Sequence, residues 1–185
     1  MSQQSPSAPG AIYLGISGVL HPSRSLYELA EARSPEDDGH TDYEAAPILD
    51  RLLSGWPRIR IVLTSTQPRQ DGLHNVLIKL GEGLASRVIG HTYEDLTTKA
   101  KLGPRQRPLS VDDYWRCNKS DIVRLHQRWL RPVAWVAVDD ETILWTPDER
   151  LNHLVAVDGC KGLLDPAAQD RLLTLLYCNF GSPKT

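Results

Sequence analysis

The carboxylate pair Asp139-Asp140 directly follows the apolar run from Val133 to Val138. It is a concentrated source of hard oxygen ligands and of acid–base chemistry. The run from Ile59 to Thr64 closes in Thr64-Ser65-Thr66, whose hydroxyls suit an oxyanion, or simply the exposed backbone groups of a strand end. Lys119 opens a helix-like stretch and offers an amine. After the first apolar run comes Gly15-Ile16-Ser17-Gly18-Val19-Leu20-His21-Pro22. Ser17 is its one hydroxyl and has no basic neighbour in sequence, which makes it a weak nucleophile or base. Gly18 reads as a turn position that tolerates positive φ, and His21-Pro22 as shaping a loop entrance.

These residues need elements to bring them together. Short apolar runs rich in β-branched residues lie at 11–16, 59–64, 87–89, 133–138 and 154–157, and such runs suit strands buried on both faces. Between them, 47–54 carries Ile48, Leu49, Leu52 and Leu53, while 72–80 carries Leu73, Val76, Leu77 and Leu80. The stretch 119–130 places Ile122, Leu125 and Trp129 at helical spacing, and Asp165-Pro166 punctuates a closing helix with Leu172, Leu173 and Leu176. Strands alternating with helices predict an α/β domain with a mainly parallel sheet. In such sheets ligands bind beyond the carboxyl ends of the strands, where the hydroxyls, amine and carboxylates fall. Two stretches break the alternation. Residues 21–42, with the acidic run Glu36-Asp37-Asp38, read as a flap or cap, and 93–116 as an irregular basic loop.

Composition bounds the rest. Of 185 residues 41% are hydrophobic and 24% charged, as in an ordinary globular protein, and the chain is long enough for a core without staples. The net charge of −2 and a pI near 6.3 give no global pull toward nucleic acid or membrane. Cys117, Cys160 and Cys178, odd in number and widely spaced, suit a reducing cytoplasm and make no zinc pattern. The longest apolar runs fall far below the ~20 residues of a membrane span. Residues 1–10 read as a disordered lead and 11–180 as a single domain.

The order and spacing of these motifs resemble the haloacid dehalogenase (HAD) superfamily, most closely the small bacterial HAD-like domains also found in RNA-repair proteins. That group's first strand ends in D-x-D-G-V-L-H, matched here by Gly15-Ile16-Ser17-Gly18-Val19-Leu20-His21. Its second motif matches Val62-Leu63-Thr64-Ser65, its third Lys119, and its fourth Val136-Ala137-Val138-Asp139-Asp140. Gly162-Leu163-Leu164-Asp165 also looks like this group, and the resemblance spans about residues 11 to 178. It implies a Rossmann-like three-layer sandwich with a small flap insertion. It also implies phosphate binding at Thr64, Ser65 and Lys119, and Mg²⁺ at Asp139 and Asp140.

The departures decide the expected function. The family's nucleophilic Asp falls on Gly15 and its acid/base Asp on Ser17. An aspartyl-phosphate needs a carboxylate that glycine cannot supply. With one carboxylate of its site gone, Mg²⁺ is expected to bind weakly or not at all, and Lys119 to pair with one of the remaining acids. The sequence therefore predicts a pseudo-phosphatase that acts by binding, most simply a protein partner or its own kind. One alternative is a phosphate-ligand binder or a phosphatase with a non-standard nucleophile. Another is nucleic-acid binding through Lys99, Lys101, Arg105, Arg107, Arg124 and Arg128. Among the five tryptophans, Trp129 and Trp135 read as core, and Trp115 and Trp145 as candidate partner anchors, with the core reading leading for Trp145.

Overall fold

A computed structural model describes residues 9–23, 41–98 and 107–184. Five strands form one sheet: β1 (Ala11–Leu14), β2 (Arg60–Leu63), β3 (Val88–His91), β4 (Trp135–Asp139) and β5 (Leu154–Ala156). Their order is β3-β2-β1-β4-β5 and every pairing is parallel. Such pairing requires a crossover between successive strands, and the helices supply it.

Alternation along β1 shows why the strands are continuously apolar. Ile12 and Leu14 face one side, where they join Leu49 and Leu53 of α1 (Ala46–Leu53) and Val76 and Leu80 of α2 (Leu73–Leu80). Leu84 of α3 (Glu82–Ala85) completes that layer together with Leu172, Leu175 and Leu176 of the closing helix. Ala11 and Tyr13 face the other side, against Val123, Trp145 and Leu154. Both faces are covered, so neither can be polar, and the result is a three-layer α/β sandwich. Truncating a fully buried leucine such as Leu49 to alanine would cost about 2–5 kcal/mol.

The second face carries α4 (Thr92–Thr97), α5 (Val111–Arg116) and α6 (Lys119–Leu130). A buried polar chain docks α4 there: Tyr13 Oη lies 3.1 Å from His126 Nδ1, and His126 Nε2 lies 3.1 Å from Asp95 Oδ2. Burial, with the Asp95 charge beside it, drives the Tyr13 phenol far up from its ordinary value. The stretch 93–116 is thus not irregular throughout, since it holds most of α4 and all of α5. Lys99, Lys101, Arg105 and most of the expected flap lie outside the described residues. Later in the chain come α7 (Pro147–Asn152) and α8 (Pro166–Phe180), the latter capped by Asp165, which accepts from Ala167 N–H at 3.0 Å. Among the described residues, no helix is long and apolar enough to cross a membrane.

Candidate functional site

Strand register brings the chemistry together. Leu14 pairs with Leu63 on one side and Val138 on the other, so Gly15, Thr64 and Asp139 leave the sheet at one level. Gly15 N–H donates to Val138 O at 2.9 Å and Thr64 N–H to Leu14 O at 2.9 Å, which fixes that alignment. Asn118 caps α6, its side chain accepting from Asp121 N–H at 3.0 Å, and so aims Lys119 at the same point.

Asp139, only 3% exposed, is the hub. Its Oδ2 accepts from Thr64 Oγ1 at 3.3 Å and lies 3.7 Å from Lys119 Nζ, while its Oδ1 accepts from Glu141 N–H at 3.0 Å. Lys119 Nζ donates to Thr64 O at 2.7 Å, and Lys119 N–H to the Glu141 carboxylate at 2.9 Å. Lys119 therefore pairs with Asp139 rather than Asp140. Ser65 is also buried, and its Oγ accepts from Gln67 N–H at 3.2 Å.

Asp140 lies beside Asp139 and against Gly18, whose φ of 74° is open to glycine at little cost. Burial, and then the Asp139 charge, push the Asp140 carboxyl above its ordinary value. Gly15 is not an open slot. A Cβ built there would lie 2.8 Å from Asp139 Oδ2 and 3.0 Å from Val19 Cγ2.

Ser17 does have a basic neighbour in space. The turn after β1 brings His21 Nε2 to 3.4 Å from its exposed hydroxyl, and Gln67 Nε2 donates to it at 3.3 Å. Tyr43 N–H donates to His21 Nδ1, so in the neutral ring Nε2 holds the proton and donates to Ser17. His21 in that tautomer cannot act as its base. Tyr43 Oη, donating to Gln67 Oε1 at 2.6 Å, completes a rim that sequence reasoning missed. The available signal was the four-residue spacing from Ser17 to His21 across a glycine turn.

Magnesium would need an octahedral oxygen shell with water and usually one or two carboxylates. Among the described residues no group of three or more His, Cys, Asp and Glu side chains is placed to hold a metal. At this point Asp139 accepts from Thr64 Oγ1 and Glu141 N–H, and neither Gly15 nor Ser17 adds a carboxylate.

The surface candidates separate. Trp115 is 45% exposed, whereas Trp145 is buried and donates its indole N–H to Glu141 O at 2.9 Å. Arg128 is exposed. Arg124 donates to Glu149 at 2.8 Å, Asp121 at 3.1 Å and the Leu144 carbonyl at 2.9 Å. Those bonds strap the loop carrying the exposed Ile143 and Leu144.

No curated protein and no solved structure matches the chain. Residues 11–168 match the family described as the HAD domain in Swiss Army Knife RNA repair proteins. A parallel sheet whose strand ends gather Thr64, Lys119 and Asp139 is what those motifs require, and over most of its length this chain belongs to that HAD-domain family.

Proposed function

We propose that the chain is a HAD-type domain that has given up phosphoryl transfer and acts by binding, with a protein partner in a regulatory or assembly role. One observation carries this reading. The position that needs a nucleophilic carboxylate is Gly15, and an oxygen of Asp139 already stands 2.8 Å from where its Cβ would be. Ser17 does not replace that carboxylate, because its oxygen accepts from Gln67 and, in the tautomer above, from His21. Exposed Trp115, with Ile143 and Leu144 on their strapped loop, offers apolar surface of the kind that partners cover.

The test is a phosphomonoesterase assay with Mg²⁺ on three proteins: the parent, Gly15→Asp/Ser17→Asp, and that pair with Asp139→Asn. The expected result is a silent parent, with activity in the double variant that the third change removes. Turnover by the parent that Asp139→Asn abolishes would refute the proposal.

A second reading is favoured by the donors that persist. Thr64, Ser65 and Lys119 still converge on the end of β2, with a lysine ammonium among them. Since the family's domain occurs in RNA repair proteins, the ligand on this reading is a phosphorylated small molecule or a nucleic-acid end. Absence of phosphomonoester binding at millimolar concentration would dispose of it. Broad nucleic-acid binding through the basic loop and α6 is weakened, because Arg124 spends its donors within the chain.

A further inference from the structure

Beside the pocket stands a cluster of flat groups that the site has not used. Arg69 Cζ lies 4.9 Å from the Tyr93 ring centre and 5.3 Å from that of Trp115, and the two rings are 6.0 Å apart at 33°. Buried Tyr114 meets both nearly edge-on, at 87° and 89°, and its hydroxyl lies 2.8 Å from Thr92 Oγ1. Burial raises the Tyr114 phenol to about 12, so that hydroxyl stays protonated and bonded at any physiological pH. Exposed Trp115 and half-buried Tyr93 are therefore held from beneath.

Register sets their distance from the phosphate-type donors. Leu63 of β2 pairs with His91 of β3. Ser65 and Tyr93 thus each lie two residues past paired positions, just beyond the ends of strands roughly 4.8 Å apart. That offset puts the nearer ring, Tyr93, within the reach from phosphate to base of a single nucleotide, and Trp115 stands a further 6.0 Å out. Charge points to a single nucleotide rather than a strand. Exposed Asp71, Asp112 and Asp113 flank the ring-bearing segments and disfavour a string of phosphates there, whereas Lys119 lies at the pocket end.

We propose that the Arg69–Tyr93–Trp115 cluster is a base-stacking platform and that the pocket's ligand is a nucleoside monophosphate. Its phosphate lies against Thr64, Ser65 and Lys119, and its base stacks on Trp115, which is 45% exposed. This rests on the second reading above, that the pocket still accepts a phosphate. Stacking on an aromatic ring tolerates any base, so the platform selects nucleotides over other phosphomonoesters more than it selects among bases.

The experiment is isothermal titration of adenosine 5′-monophosphate, adenosine and inorganic phosphate into the full chain and into Trp115→Ala and Trp115→Phe. Circular dichroism verifies that each variant is folded. The monophosphate is expected to bind at least about tenfold more tightly than inorganic phosphate. Trp115→Ala is expected to remove that advantage without changing phosphate binding, and Trp115→Phe to restore most of it. Phosphate binding with no advantage for the monophosphate, or an advantage that survives Trp115→Ala, overturns the platform and leaves the pocket reading standing. Failure of both phosphate and monophosphate to bind at millimolar concentration overturns the two together. Adenosine binding as tightly as its monophosphate also overturns the proposal, since the phosphate then contributes nothing.

Discussion

Lys119→Met tests whether the pocket is held by its ion pair. The substitution keeps most of the side chain's length and removes the ammonium that stands 2.7 Å from Thr64 O and 3.7 Å from Asp139 Oδ2. At that separation the gross attraction is about 4 kcal/mol for an effective dielectric near 20. Breaking a buried pair from one side costs about 3–5 kcal/mol, because the remaining charge is left in place. Two features reduce this here. The Asp139 carboxylate keeps its bonds from Thr64 and from Glu141 N–H, and the Lys119 side chain is 21% exposed, so water can reach the gap. The expected loss is therefore about 2–3 kcal/mol.

Urea denaturation measures it as a lower midpoint with an unchanged slope, a shift of about 1–2 M for a chain of this size. In Lys119→Met/Asp139→Asn the charge is gone as well as its partner. That double variant should recover to within about 1 kcal/mol of the parent, with a coupling energy above about 1 kcal/mol. A single variant within about 0.5 kcal/mol of the parent, with additive behaviour in the double, would refute the reasoning.

Three further outcomes follow from neighbouring groups. Hydrogen bonds from Arg124 hold Glu149 down at about 2, against an ordinary 4.5. A depressed acid contributes stability above its unfolded value and loses it as pH falls, so the parent should lose on the order of 2 kcal/mol between about pH 4.5 and 2. Glu149→Gln should flatten that limb of the stability profile, and an unchanged profile would refute the assignment. Asp140 is shifted the other way, so its contribution falls as pH rises above its ordinary 3.8. Asp140→Asn should accordingly melt higher than the parent at neutral pH, with the advantage shrinking in acid, and a lower melting point at neutral pH would count against this. Gly18→Ala combines a left-handed φ with a Cβ driven against the Asp140 carboxylate, and should cost about 1–3 kcal/mol by denaturant titration. Asp140→Ala added to it should recover part of that loss.

The sheet was legible because burial on both faces writes an apolar run for most strands, and each run overlaps an observed strand. Their ends were less legible. Val133 belongs to an apolar run yet is exposed, and β4 starts at Trp135, where pairing with β1 begins. The short helices escaped for different reasons. α4 buries Thr92 and Asp95 beside Leu96, so its inner face is polar and carries no apolar period. α7 buries nothing, although its capping box of Thr146 and Glu149 was readable in the sequence. At the site, motif order was enough to gather Thr64, Lys119 and Asp139. The fate of Arg124 was not readable, because its partner Glu149 lies 25 residues away. Nor was the crowding at Gly15, which depends on where a side chain from another strand comes to rest.

That crowding gives the site a direction in evolutionary time. Had glycine left a hole, one substitution at position 15 could restore a carboxylate whenever selection favoured it. Here the Asp139 oxygen is fixed beside the vacancy by Thr64 and Lys119, so a lone acid at position 15 meets a like charge 2.8 Å from its own Cβ. The first step back is destabilising unless the lysine pair loosens or a cation arrives, and it still leaves Ser17 where an acid is needed. Position 15 is thus coupled to Asp139, Lys119 and Ser17, and an acid placed there alone carries a cost that a companion change must offset.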